Sequence, residues 1–213
     1  MSSTLAPHPA RPAAPPASPL LTPSQYFALD SVALRRSEFV DGRMIEMAGA
    51  SLNHITVASN VFQDLKNQLE DRDCGVFASD CRVRADKRYY YPDVCVVCDA
   101  YIVDILNLDT LTNPSVLIEV LSPSTESVDR GRKLRDYRRT PSLRAYLLVE
   151  QDYPLVEQYE RGDDGGWRLV ETEGLDGIVE LPAIGCRLEM ARIYRRVSLS
   201  EPETAPTDEI NAV

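Results

Sequence analysis

The sequence predicts a mixed α/β (α+β) domain in which a central mixed β-sheet is flanked by two main helices. Residues 93–98 and 116–121 are short, continuously apolar runs, as expected of central strands that are covered on both faces. Residues 53–69 and 125–139 have the length and spacing of helices. Strands accompanied by two such helices place the chain in the α/β or α+β class.

The length and composition predict one folded domain between two flanking segments. A chain of 213 residues is long enough for a domain with its own core. Residues 1–23 contain seven of the fifteen prolines, five alanines and no acidic residue, so a flexible Pro/Ala-rich arm is expected there. Residues 199–213 are expected to form a disordered acidic tail. The single folded domain is therefore assigned to residues 24–198.

Composition also excludes or disfavours several classes of protein. No run approaches the roughly 18 apolar residues of a membrane span, and the start lacks the apolar block of a signal peptide. Five cysteines without a signal peptide predict reduced thiols in a cytoplasmic protein rather than a disulfide framework. Cys95 and Cys98 form a C-x-x-C motif, but on a strand they point to opposite faces and so do not share a metal ion.

The net charge of −10 is unevenly distributed along the chain. Residues 150–180 hold ten acidic and two basic residues, and the tail holds four acidic residues and no basic one. The rest of the chain is slightly positive, with basic clusters at Arg82–Arg88 and Arg130–Arg139. The local electrostatic field decides whether a polyanion can approach a cleft. The acidic net charge therefore argues against a nucleic-acid partner without excluding one.

Three elements are predicted between residues 23 and 69. A short helix follows Pro23, with Ser24 as its N-cap. Residues 37–47 form a hairpin around Asp41-Gly42, a dipeptide typical of tight two-residue turns. Apolar residues at helical spacing then predict an amphipathic helix over residues 53–69.

The remaining elements follow from similar local signals. The alternating run at residues 76–85 predicts a single strand. The helix at residues 125–139 has several possible caps in its Ser-Pro-Ser-Thr lead-in, among which the sequence does not choose, and a Thr-Pro pair ends it. Residues 144–150 are predicted to form another strand. Residues 156–171 are predicted to form a second hairpin with a Gly-Gly turn.

Two carboxylates in apolar surroundings are the most informative feature of the sequence. Glu119 lies inside the run VLIEVL, where an unpaired charge costs several kcal/mol, and Asp93 opens the run VCVVC. If the two strands are neighbours, these side chains converge on one site with the oxygen ligands that Mg²⁺ or Mn²⁺ prefers. The alternative is that each is a strand-end acid that pairs with an arginine or caps a backbone amide.

The helix after Glu119 carries a second polar constellation. Asp129, Lys133 and Tyr137 are spaced i, i+4 and i+8, so they share one helix face. That face can direct Lys133 toward the two carboxylates, whereas Arg132 is expected to point away, since adjacent helical residues diverge by about 100°. The alternative is a solvated basic helix that is held by internal ion pairs.

The segments EFVDGRMIEMAGAS, YPDVCVV and IEVLSPSTESVDRGRKLRDYRR together resemble the Uma-type restriction endonuclease family of the PD-(D/E)XK nuclease superfamily. The resemblance covers about residues 24–196. It implies a restriction-endonuclease-like fold, with Asp93 and Glu119 as metal ligands and Lys133 as the basic catalytic residue. The usual lysine position of the superfamily, two residues after Glu119, holds Leu121 instead. Lys133 fits branches in which that lysine has moved to the following helix.

Two further site residues are candidates. Glu38 matches an acid that recurs in this family and would complete the metal shell; its alternative is an exposed hairpin charge. His54, near a helix start, would touch a phosphate or transfer a proton; its alternative is a structural histidine.

The implied function is a Mg²⁺- or Mn²⁺-dependent endonuclease that hydrolyses DNA phosphodiester bonds, as a homodimer when both strands are cut. The rival hypothesis is a catalytically inactive dimeric module of the same fold that binds nucleic acid or protein in a regulatory role. The acidic net charge and the lack of a recognisable DNA-reading motif are the reasons for the rival.

Overall fold

The computed structural model describes residues 19–200, so most of the predicted arm and tail lies outside the described residues. The strands are β1 Ser37–Val40, β2 Arg43–Glu46, β3 Cys74–Ala78, β4 Arg82–Ala85, β5 Arg88–Tyr90, β6 Val94–Cys98, β7 Val103–Asp104, β8 Asn107–Leu111, β9 Val116–Val120, β10 Ala145–Val149, β11 Leu155–Arg161, β12 Trp167–Glu173, β13 Ile178–Leu181 and β14 Cys186–Glu189. The α-helices are α1 Pro23–Asp30, α2 Leu52–Gln68, α3 Glu126–Val128, α4 Leu134–Tyr137 and α5 Met190–Ile193, with a π-helical turn at Asp129–Lys133 between α3 and α4.

Two six-stranded sheets dominate the fold. The first has the order β12-β11-β10-β9-β6-β3 and is mixed, since β9 and β10 are parallel and its other pairs are antiparallel. It is the predicted central mixed sheet. The second has the order β2-β1-β5-β4-β8-β7 and is not predicted from the sequence patterns. Strands β13 and β14 form a separate two-stranded sheet.

The first sheet is buried on both faces, which explains the continuously apolar runs of β6 and β9. Helix α2 covers one face with Val57, Val61 and Leu65, in the core that also contains Val96 and Ile118. The opposite face, which carries Cys95, Val97 and Leu117, packs in a second core with Val83 and Tyr90 of the second sheet. The two runs are neighbours, which is the condition for Asp93 and Glu119 to converge, because β6 pairs with β9 and places Val94 opposite Ile118.

The local signals near the start of the domain are confirmed with one correction. Asp41 and Gly42 have φ values of 50° and 81°, as the predicted tight hairpin turn requires. Helix α1 forms as predicted, but Ser24 is not its N-cap. Pro23 already occupies the first helical turn, and Thr22 exchanges hydrogen bonds with Gln25 in a capping box.

The prediction of one strand over residues 76–85 is wrong. A turn interrupts the run, with the Cys81 N–H donating to the Ala78 carbonyl at 2.9 Å. Strand β3 pairs with β6 in the first sheet, whereas β4 pairs with β5 and β8 in the second. Both strands alternate with the same period, so the pattern conceals the passage from one sheet to the other.

The prediction that all five cysteines are reduced thiols is also wrong. Strands β3 and β6 place Cys74 directly opposite Cys98, with a Cα–Cα distance of 4.1 Å, and the two form a disulfide. Cys81, Cys95 and Cys186 are free. Cys95 and Cys98 do point to opposite faces of the sheet, as predicted. The cysteine content therefore does not argue for a reducing compartment.

The predicted helix at residues 125–139 is confirmed as a helical segment, but the π-helical turn interrupts it. A π turn holds an extra residue and changes the angle between successive side chains. It buries both Asp129 and Lys133. Within residues 19–200, no helix is long and apolar enough to cross a membrane.

Candidate active site

An open cleft of about 670 Å³ lies where the β1–β2 hairpin, the first half of α2 and the loop after β9 meet. Its walls include all five residues that the sequence singles out: Glu38, His54, Asp93, Glu119 and Lys133. They come from five separate places in the chain, and the fold brings them together around this cleft.

Lys133 lies at the centre of this group. Its Nζ atom is 3.0 Å from Glu38 Oε1, 3.0 Å from Glu119 Oε1 and 3.1 Å from Asp129 Oδ1. The side chain is only 7% exposed. Burial lowers the pKa of Lys133, but the surrounding carboxylates raise it more, so the net pKa lies well above its ordinary value and the ammonium stays charged.

Glu119 projects from the interior of β9 and is buried, as the sequence predicts. Its Oε1 atom accepts hydrogen bonds from Lys133 Nζ and from the Tyr137 hydroxyl, both at 3.0 Å. Burial raises the pKa of Glu119 well above its ordinary value, and the nearby carboxylates raise it further while Lys133 lowers it. Lys133 and Tyr137 therefore share the predicted helix face and fix the orientation of this carboxylate.

Asp93 is positioned by the strand next to its own. Its Oδ2 atom accepts the Val120 N–H at 2.7 Å, so the alternative of a strand-end acid that caps a backbone amide is realised here. The same atom lies 3.3 Å from Nε2 of His54. Burial lowers the pKa of His54, but the hydrogen bond and the charge of Asp93 raise it overall. These contacts place the carboxylate of Asp93 beside the end of β9.

Glu38 and His54 reach the cleft from elements outside the first sheet. Glu38 is buried on β1, so its alternative as an exposed hairpin charge is wrong. His54 lies in the first turn of α2, whose N-cap Ser51 accepts the His54 N–H at 3.1 Å. The fold therefore brings all five candidate residues into one cleft, although the sequence does not predict which of them contact each other.

Asp129, which the sequence places on the same helix face as Lys133 without giving it a role, is a further residue of the cleft wall. It is 1% exposed, and burial raises its pKa although Lys133 lowers it. Its Oδ1 atom receives no well-directed hydrogen bond from the described residues, despite lying 3.1 Å from Lys133 Nζ. The i, i+4 spacing to Lys133 is the signal that identifies it.

Carboxyl groups outnumber cations among the buried and half-buried residues of the cleft: Glu38, Asp93, Glu119 and Asp129 stand against Lys133, Arg132 and the imidazole of His54. All-oxygen carboxylate sites suit Mg²⁺ or Mn²⁺, so the chemistry of these side chains fits a divalent cation. In the described part of the chain, however, no three His, Cys, Asp or Glu side chains converge as a ready-made metal site. The Lys133 ammonium lies between Glu38, Glu119 and Asp129 instead.

Comparison with known proteins identifies the family. The model of the Uma2 family, described as "Putative restriction endonuclease", matches residues 23–191. The chain belongs to the Uma2 family. Two relatives from Synechocystis sp. bear the names "Uncharacterized protein slr1290" and "Uncharacterized protein sll1609". The first is 34% identical over a match that covers 83% of this chain and 93% of the relative. The second is 35% identical over a match that covers 76% of this chain and 92% of the relative.

A solved structure confirms the restriction-endonuclease-like fold class. It is the crystal structure of a "putative nuclease belonging to DUF820" from Anabaena variabilis. The two structures superpose with a TM-score of 0.67, and the match covers 82% of this chain and 97% of the Anabaena chain. At 17% sequence identity, the match shows that the fold is shared.

This Uma2 chain differs from the sequence-based expectation at Arg132. Arg132 lines the cleft together with Lys133, although the two were expected to diverge. Both residues lie in the π turn, where the spacing of side chains departs from that of the α-helix assumed in the expectation. Arg130 is held away from the cleft by Glu126, Glu150 and Glu157. Arg132 forms no salt bridge with any described residue and adds a half-buried cation to the cleft wall.

Proposed function

We propose that this Uma2 protein is a divalent-metal-dependent endonuclease that hydrolyses phosphodiester bonds in DNA. The observation that carries the proposal is the meeting of Asp93, Glu119 and Lys133 in one open cleft. This is the set of residues, in the same chain order, that the superfamily resemblance implies. The family description supports the nuclease class.

The carboxylates are proposed to hold the metal ion. Asp93 and Glu119 would be its ligands, and Glu38 would complete the shell. A bound Mg²⁺ or Mn²⁺ would polarise a phosphoryl oxygen and lower the pKa of a bound water. The excess of buried carboxylates over cations in the cleft supports this assignment.

The basic residues are proposed to act on the phosphate. Lys133 stays protonated and would stabilise the negative charge that develops there. Its three donors already face carboxylates, so contact with a phosphate requires that one of these contacts is exchanged. Glu38 is the most exposed of the three carboxylates and is the one we expect to be released. Asp93 orients His54, which would contact the phosphate or transfer a proton.

The test is a cleavage assay on supercoiled plasmid and single-stranded DNA with Mn²⁺. The wild type should nick or linearise the plasmid. Asp93→Asn and Glu119→Gln should lower the rate by orders of magnitude while circular dichroism confirms that they are folded. Asp109→Asn changes an exposed acid on β8 and is the matched control. Equal residual cleavage in all four proteins would overturn the proposal.

One observation favours the rival function, a catalytically inactive dimeric binding module. Lys133 is fully engaged with carboxylates, and no three-ligand metal site is ready-made among residues 19–200. A DNA-binding titration at low salt separates the two functions. Binding without cleavage at any divalent concentration supports the module, and neither binding nor cleavage supports a role in protein interaction.

The quaternary state and location complete the proposal. Cutting both strands of a duplex requires two such sites, so we propose a homodimer. We also propose that the protein meets its DNA substrate in the cytoplasm, as the nuclease class of its family suggests. Solution mass measurements test the dimer.

A further inference from the structure

A patch of exposed apolar side chains lies on and beside the β7–β8 hairpin. Its members are the large apolar residues of the segment 101–108. Their exposed fractions are 53% for Tyr101, 59% for Ile102, 40% for Val103, 90% for Ile105, 52% for Leu106 and 72% for Leu108. We call these six residues the β7–β8 patch.

The patch joins the free edges of the two large sheets. Among residues 19–200, β7 is the last strand of the second sheet and pairs only with β8, and β3 is the last strand of the first sheet. The Tyr101 ring packs edge-on against Phe77 of β3, with 5.4 Å between ring centroids. Free edges present unpaired backbone groups that readily bind another chain, and proteins usually protect them with charge. Here apolar side chains surround the edge instead.

The size of the patch is that of a subunit interface. With about 200 Å² for a fully exposed large side chain, the six exposed fractions amount to roughly 700 Å² per copy. Monomeric proteins rarely expose more than a few hundred Å² of contiguous apolar surface. A standard interface buries about 800 Å² on each partner.

We propose that the β7–β8 patch is the surface through which two copies of this chain associate. A two-fold dimer places the same patch on both partners, so the contact closes and leaves neither edge exposed. Exposed Asp99 and Asp109 border the patch and would repel DNA or an anionic lipid surface. The inference rests on the proposed homodimeric state, but it is independent of nuclease activity.

The segments outside the described residues are less suitable occupants. Residues 1–18 contain Leu5 and Met1 as their only large apolar side chains. The first described residues lie at the opposite edge of the second sheet, where the Leu21 N–H donates to the Gly42 carbonyl at 2.8 Å. A second copy supplies the large apolar surface that this arm lacks.

The test is the solution mass of the full-length protein by light scattering. We expect twice the chain mass of 23.8 kDa for the wild type and a single chain mass for the Ile105→Asp/Leu108→Asp double variant. Val32→Asp/Leu34→Asp changes two equally exposed apolar residues in the α1–β1 loop and should remain dimeric. Circular dichroism and thermal unfolding verify that each variant is folded.

Each other outcome overturns the interface. A dimer that persists in Ile105→Asp/Leu108→Asp means that another surface mediates association. A monomeric wild type means that the patch serves a different occupant. In either case nicking of one strand of the plasmid needs only one site and is unaffected, so failure of the interface and failure of the nuclease proposal are distinguishable.

Discussion

Replacement of Lys133 by Met tests how the buried charges of the cleft are balanced. Among the described residues, Lys133 is the only cation within 4.0 Å of Glu38, Glu119 or Asp129. Met retains most of the stem volume, so the packing loss is small, but the carboxylates lose their cation. Removal of one partner of a buried ion pair costs about 3–5 kcal/mol. We expect the free energy of unfolding to fall by that amount at pH 8 in the presence of EDTA.

The loss should depend on pH, with a sign that follows from the carboxyl groups. Burial raises the pKa of Glu119 and of Asp129, and Lys133 is the group that lowers both. A carboxyl with a raised folded pKa contributes stability that is fully present below its unfolded pKa. That stability is lost as the pH rises toward the folded pKa, by about 1.4 kcal/mol per pH unit and group. Lys133→Met raises the folded pKa further, so the loss should be smaller at pH 5 than at pH 8.

Urea unfolding followed by circular dichroism at the two pH values measures this effect. Arg135→Met removes an exposed cation from the same helical segment and should stay within about 0.5 kcal/mol of the wild type at both values. If Lys133→Met lowers the free energy of unfolding equally at pH 5 and pH 8, or by less than about 1 kcal/mol at pH 8, then Lys133 does not balance the buried carboxylates.

Three further predictions concern DNA contact, the disulfide and the second sheet. Arg132→Met should weaken DNA binding in EDTA, as measured by fluorescence anisotropy. The slope of the logarithm of the binding constant against the logarithm of the salt concentration should fall in magnitude by about one. An unchanged slope would contradict contact between Arg132 and a DNA phosphate. Thiol titration of the unfolded protein should count three thiols before reduction and five after, and five at the outset would disprove the Cys74–Cys98 pair. Asp30→Asn leaves buried Arg82 without its carboxylate and should cost about 3–5 kcal/mol in urea unfolding; a cost below about 1 kcal/mol argues against this pair.

The elements that the sequence predicts correctly are those specified by local chemistry. Asp41-Gly42 supplies the positive φ values of a tight turn, and the runs in β6 and β9 record burial on both faces. The second sheet depends on partners that lie far apart in sequence, such as β4 and β8, which pair in parallel. The Cys74–Cys98 disulfide likewise depends on the register of β3 against β6. Neither pairing is indicated by the residue pattern within a single strand.

The same distinction applies to the site. Glu119 is recognisable because a charge inside an apolar strand requires a partner, and Lys133 because its helical spacing directs it toward that strand. Asp129 is indicated by its i, i+4 spacing to Lys133, whereas Arg132 lies in the π turn, for which the segment DRGRK carries no recognisable signal. The capping contact of Asp93 depends on the pairing of β6 with β9.

The most direct test of the proposed nuclease follows Mn²⁺ binding and plasmid nicking in one titration of the same protein. Electron paramagnetic resonance measures bound Mn²⁺, and gel analysis of the same samples measures nicking. We expect nicking to rise with Mn²⁺ occupancy of the carboxylate cluster, and Glu119→Gln to abolish both Mn²⁺ binding and nicking while remaining folded. Nicking that does not follow Mn²⁺ occupancy, or Mn²⁺ binding that is unchanged in Glu119→Gln, would contradict the proposed function.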